Sequence, residues 1–174
     1  MIASVDSSEN EYTQRIISFL REIGIEVREG SCSEKSFMPG IRVEKGALMV
    51  DRSALLYPGD LLHEAGHLAI MPPDRRSKAA GNVGSNLGEE IAAQAWSYAA
   101  ALAADIPLEI VFHDNGYHGA GPWLRELFAG GATAGVPLLV WYGMTHLPGT
   151  ETAGDAAVFP KLSTWLRTTP HPPY

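Results

Sequence analysis

The sequence predicts an α+β fold, mainly helical, with a small antiparallel sheet placed ahead of a central helix. Three observations carry that prediction. Apolar residues recur with helical spacing in several stretches, and short segments between residues 25 and 50 read as strands. The balance of 45% hydrophobic to 19% charged residues is that of a chain with a packed core. At 174 residues the chain, 1–174, is expected to form one domain.

The first element is a helix. Ser8 with Glu11 makes a capping-box pattern, Tyr12, Ile16, Phe19, Leu20 and Ile23 share a face, and Gly24 is the stop. Ile25-Glu26-Val27-Arg28 alternates as a half-buried strand does. Ile41 to Glu44 and Ala47 to Val50 flank Lys45-Gly46 as a hairpin. Pro58 suits the first turn of a helix that runs to about Met71, where Pro72-Pro73 end it. Residues 72–86 read as a surface loop. A second long helix, rich in alanine, spans about Leu87 to Ala104. After Pro107 come a short apolar segment, a polar turn with His113 and His118, and a helix near Pro122 to Phe128. Two further helices are expected at 136–145 and 158–167, then a proline-rich tail from Pro170 to Tyr174.

The formal charge of −7, with no run of basic residues, argues against nucleic acid and anionic membranes as partners. Cys32 is the only cysteine, which excludes an intrachain disulfide and a thiolate metal cluster. Met1 to Asp6 lacks the basic and apolar regions of a signal peptide. The most apolar stretch, 129–144, is interrupted by Gly130, Gly131, Gly135 and Pro137 and falls short of the ~18 unbroken apolar residues of a spanning helix. A cytoplasmic protein is expected.

The chemistry is concentrated in His63-Glu64-Ala65-Gly66-His67, an HExxH segment on a predicted helix. Residues four apart lie on one helical face, so both imidazoles can reach one zinc ion at ~2.0–2.1 Å. Glu64 need not bind the ion. It is placed to act as general base toward a zinc-bound water, whose pKa falls to about 7. Gly66 leaves space beside the ligands. A third protein ligand is required, and Glu89 and Glu90, at the start of the next long helix, are the candidates. They point about 100° apart, so only one joins the ion. Asn86-Leu87-Gly88-Glu89 is a capping-box pattern that occupies Glu89, whereas Glu90 has Gln94 on its own face, able to accept a hydrogen bond from a ligand histidine. Glu90 is therefore favoured, with Glu89 as the alternative.

These residues resemble the gluzincin zinc metallopeptidases, the group that includes thermolysin. That group pairs HExxH with a glutamate on a second helix in a pattern like E-x-x-[AS]-D, and Glu90-Ile91-Ala92-Ala93-Gln94-Ala95-Trp96 is similar, with Gln94 in place of the usual aspartate. The small ImmA/IrrE-type branch is the most similar in layout, over roughly residues 40 to 105. The resemblance implies a zincin-like fold, a zinc cofactor, and hydrolysis of a peptide or protein substrate. It also implies an oxyanion donor later in the chain, for which Tyr117 and His118 are the candidates. Two departures matter. Gln94 is neutral and would strengthen a ligand histidine less than aspartate does. No helix-turn-helix segment is present, so the repressor-cleaving role of that branch does not carry over.

Other readings stand beside the peptidase. The chain could be a non-catalytic zinc-binding module that regulates a partner protein, or a helical scaffold without metal. His146 and His171 read as structural or solvated, the four tryptophans as core or pocket wall, and Asp105 and Asp155 as caps or turns. Ala47 to Val50, just ahead of the metal helix, is a candidate edge for an extended peptide. Cys32 lacks a nearby histidine and is a poor nucleophile candidate.

Overall fold

The computed structural model describes residues 3–31, 38–83, 86–150, 154 and 156–170, with side chains from residue 8 onward. Cys32, Asp155 and His171 lie outside the described residues.

Helix α1 (Ala3–Glu22) begins five residues before Ser8, so Ser8 and Glu11 sit inside the helix and not at its cap. Its apolar face is as expected, with Ile16, Ile17 and Leu20 fully buried and Tyr12, Phe19 and Ile23 packed at the margin. The chain turns at Gly24 into β1 (Val27–Glu29), then returns to form β2 (Ile41–Glu44) and β3 (Ala47–Val50). The hairpin is present, with Val43 opposite Leu48, but the sheet is mixed and not wholly antiparallel. Its order is β1-β3-β2, and β1 runs parallel to β3. The physical reason lies in β3. Ala47, Leu48 and Val50 are completely buried, and the most apolar strand takes the centre, where neighbours cover both of its edges. Val50 is therefore paired on one side with Ile41 and on the other with Glu29, and β3 offers no edge to a peptide.

Helix α2 (Asp60–Ile70) carries the HExxH segment. Gly59 is its N-cap, and Pro58 precedes the cap where a place in the first turn was expected. A Cβ on Gly59 would lie 1.9 Å from the Ile110 carbonyl oxygen, so only glycine lets the start of α2 meet the Leu108–Val111 helix, α5. Within the 72–86 stretch a single turn, α3 (Pro73–Arg76), opens on Pro73. Arg76 donates to the carbonyls of Leu68, Ala69 and Met71, satisfying the C-terminal carbonyls of α2.

Helix α4 (Leu87–Ala103) packs on α2. Its alanines allow a close crossing, and Gly66 sits at the crossing point. A Cβ there would be 3.0 Å from the Ala93 carbonyl and 3.3 Å from both Ser97 Oγ and Trp96 Cε3. Beyond α5 come a 3-10 turn (Tyr117–Gly119), α6 (Gly121–Ala129) and α7 (Val136–Trp141). The last helix is shorter than the 136–145 expected. The 158–167 stretch is not a helix: no helical turn forms there, and it crosses the molecule as irregular chain. Pro160 and the Ser163-Thr164 pair suit that course, and its backbone is satisfied elsewhere, with Ser163 N–H donating to Met144 O and Arg167 N–H to Ala69 O. Buried apolar residues from Ile16 to Phe159 form one continuous core. Trp96 is central to it, and its indole N–H donates to Trp165 O. Trp123 and Trp141 are 58% and 62% exposed, so the expected core role fails for both. Among the described residues no helix is long and apolar enough to cross a membrane.

Candidate metal centre

Three side chains from two helices converge. His63 Nε2 and His67 Nε2 are 3.2 Å apart. Glu90 Oε1 lies 3.4 Å from His63 Nε2, and its Oε2 lies 3.1 Å from His67 Nε2. Among the described residues this trio forms a group able to hold a metal ion. Ligand atoms bound at ~2.0–2.1 Å in tetrahedral geometry are separated by roughly 3.3–3.4 Å, and the two imidazole nitrogens from each other, and each from its nearer Glu90 oxygen, approximate that spacing. Two imidazoles and one carboxylate would leave a tetrahedral ion its fourth position.

The α2 backbone brings the histidines together because i and i+4 share a face. The close crossing at Gly66 brings Glu90 to them. His67 is 2% exposed, His63 12% and Glu90 31% at the side chain, so the centre opens toward solvent on the Glu90 side. A polar depression lined by Asn10, Glu11, Gln14, Arg15 and Arg52 includes none of these residues.

Burial dominates the electrostatics. It lowers the pKa of His63 to about 4, helped by the neighbouring charge of His67 and opposed by Glu90. For Glu90 burial pulls upward, but the hydrogen bond from His67 and the two imidazoles outweigh it and bring the carboxyl to about 2. The pair thus presents a neutral imidazole and an ionised carboxylate, the states that bind a cation. Glu64 is pushed up by burial, with Asp60 and Glu90 adding to the effect and His67 opposing it. No described side chain hydrogen-bonds Glu64, which leaves its carboxylate free to take a proton.

Two expectations about the supporting residues are corrected. Asn86 does cap α4, accepting from the N–H groups of Gly88 and Glu89. Glu89, however, does not reach back to Asn86; its carboxylate forms a two-pronged ion pair with Arg75 of α3, with the second contact at 3.0 Å. A charged fork outcompetes a single backbone N–H. Glu89 is thereby turned away from the trio, and Glu90 is the acid that faces the histidines. Gln94 does not accept from a histidine. Its Nε2 donates to Glu90 Oε1 at 3.2 Å, so it orients the carboxylate. Nδ1 of His63 and Nδ1 of His67 are both buried, without a hydrogen-bond partner among the described residues.

Tyr117 comes to the centre and His118 does not. The Tyr117 ring meets the His63 ring edge-on, centroids 4.9 Å apart. Its hydroxyl is buried, without a partner in hydrogen-bond geometry among the described residues. Burial raises its pKa well above the usual value, carboxylates Asp60, Glu90 and Glu64 add to this, and the Ser97 hydroxyl opposes it weakly. The phenol therefore keeps its proton. His118 is exposed. Both residues have φ of +55°, a left-handed conformation that is strained for residues with side chains, at roughly 1–3 kcal/mol each.

The polar turn expected around His113 is present, but it does not leave that histidine at the surface. His113 is buried, its Nε2 donates to Asp60 Oδ1 at 2.9 Å, and its ring stacks on Tyr57. Asp60 stands one turn before Glu64, an acid at the start of a helix, and that position alone suggests only a dipole role. Nothing in the sequence links it to a histidine 53 residues on. His146 is exposed, with its ring facing the Ala157 carbonyl, and takes no part in the centre.

No protein-family model matches the chain, and comparisons with curated proteins and with solved structures found no match, so the functional reading stands on these residues themselves.

Proposed function

We propose that the protein is a zinc-dependent metallopeptidase with a zincin-like fold, of the gluzincin type and nearest in layout to its small ImmA/IrrE-like branch. The supporting observation is that His63 Nε2 and His67 Nε2 lie 3.2 Å apart and the Glu90 carboxylate straddles them, with Oε1 3.4 Å from His63 Nε2 and Oε2 3.1 Å from His67 Nε2. Two imidazoles and one carboxylate are the donor set of catalytic zinc in hydrolases. When bound, the ion would supply Lewis acidity and bring the pKa of water to about 7.

The chain's own residues do the rest. Glu90, kept ionised and tied by Gln94, offsets the cation's charge. Glu64 follows His63 in sequence and has no competing hydrogen bond among the described residues, so it serves as general base and then returns the proton to the leaving amine. Tyr117, protonated, with its ring against His63 and its hydroxyl buried, is the better of the two candidates for stabilising an oxyanion; His118 faces solvent. The substrate is a peptide or protein, and a net charge of −7 disfavours nucleic acid or anionic membrane as partner. A cytoplasmic location accompanies this reading.

Glu64→Gln should leave metal content unchanged and lower peptide hydrolysis by about 100-fold or more, the scale of general-base help. An unaltered rate on a peptide library would remove Glu64, and the mechanism, from consideration.

A second reading, a zinc-binding module that regulates a partner without cleaving it, draws on one observation. Among the described residues neither imidazole has an acceptor for its Nδ1 proton, an arrangement that weakens metal ligation. Stoichiometric zinc with no cleavage of any library peptide would select this reading.

A further inference from the structure

The segment from Phe112 to Gly121 is fastened to the beginning of α2 by contacts that donate nothing to the metal triangle. Asp60 and His113 meet at 2.9 Å, and both are almost excluded from solvent. The His113 ring lies flat on Tyr57, 3.9 Å between centroids, and Asn115 Nδ2 donates to the Tyr57 hydroxyl at 2.9 Å. From the other side Arg125 donates to Phe112 O and pairs with Asp114. What this fastening holds is the left-handed pair Tyr117 and His118, with the Tyr117 ring wedged between Phe112 and His63. Two successive left-handed residues other than glycine persist only where their surroundings impose them.

His63 has need of such support. A metal-bound histidine is ordinarily oriented by a hydrogen bond from its second ring nitrogen. Among the described residues His63 Nδ1 makes none, so its ring orientation is left to packing, and Tyr117 and His67 supply aromatic rings that touch it. Asp60 sits three residues before His63 on the same helix, so the fastening and the brace bear on one turn of α2.

We propose that Asp60 and His113 form a positioning pair for the metal centre, fixing the 113–121 turn so that the Tyr117 ring holds His63 in its metal-facing orientation. The inference rests on the metal-centre reading above and on neither peptide cleavage nor its absence.

The test is a Co²⁺ titration of the full chain, read by the visible absorption of bound cobalt and by competition for the dissociation constant. His113→Gln should weaken binding about 10-fold or more and alter the cobalt spectrum. Tyr117→Ala should do the same, and Tyr117→Phe, which keeps the ring, should stay within about twofold of wild type. The double variant His113→Gln/Tyr117→Ala should bind no more weakly than Tyr117→Ala, because one residue acts through the other. A merely structural role predicts additive losses and an unchanged spectrum, and either result overturns the proposal. If His113→Gln does not fold, Gly116→Ala takes its place: a methyl there would lie 2.9 Å from His113 Nε2 and displace the ring while keeping both partners. The same criteria then decide. A wild-type chain that takes up no cobalt, or takes it up equally after His63→Ala, sinks the metal centre and the pair with it. Binding that is lost in His63→Ala but unchanged in His113→Gln sinks the pair alone.

Discussion

Gln94 donates its side-chain N–H to Glu90 Oε1, 3.2 Å away, and so ties down the carboxylate that faces both histidines. The bond runs along one face of α4, from i+4 back to i. Replacing Gln94 with leucine keeps the volume and removes the donor. Binding of Zn²⁺ should weaken about 10-fold, with the stoichiometry still one per chain, as isothermal titration would show. Equal affinity in the two proteins would mean that Glu90 is held by other means.

The adjacent acids should behave oppositely. Glu90→Gln removes a ligand, and metal content after dialysis should fall to a small fraction of wild type. Glu89→Gln breaks only the ion pair with Arg75, which is partly exposed, so the expected loss is about 1 kcal/mol of stability with metal content intact. Loss of metal from Glu89→Gln and not from Glu90→Gln would reverse the assignment.

Acid should destabilise the metal-free protein in two stages. The folded state resists protonating His63 until about pH 4, whereas the unfolded chain takes up that proton near 6.5. The unfolded state therefore binds more protons between those values, and stability falls as the pH drops through them, by on the order of 3 kcal/mol. Glu90, held near 2 against 4.5 when unfolded, extends the loss below pH 4.5. Glu64 works in the opposite sense, since burial raises it. Urea melts with a chelator present, at pH 7, 5 and 4, should show the decline, and His63→Gln should flatten its upper stage. A flat profile in wild type would show that His63 is not held neutral by burial.

Gly66→Ala tests the crossing that joins the ligands. The added methyl meets the backbone carbonyl of Ala93 at 3.0 Å, and backbone yields less readily than a side chain. We expect a loss of about 1–3 kcal/mol, or about 2–4 °C in Tm per kcal/mol, together with weaker metal binding as Glu90 moves away from the histidines. A variant that melts and binds like wild type would show that the helices have room to spare.

Much of this was legible in the residues. The helical spacing of His63 and His67 determines their shared face without reference to any other element, and the same holds for Glu90 and Gln94. The apolar face of α1 and the Lys45-Gly46 turn are equally local. The failures have a common cause. The 158–167 stretch was expected to be helical from its composition, but its backbone partners are Met144 and Ala69, distant in the chain. Local pattern points Glu89 to Asn86 and Gln94 to a histidine, whereas the fold pairs them with Arg75 and Glu90.

By itself the sequence determined which side chains could share a metal ion, because periodicity of 3.6 residues per turn is a property of the local backbone. Only the tertiary structure decided which of two adjacent acids completes the triangle, that β3 is central and parallel to β1, and that His113 is buried against Asp60. Each of these is a competition among partners far apart in sequence, settled by which groups must be buried together and which charges meet there.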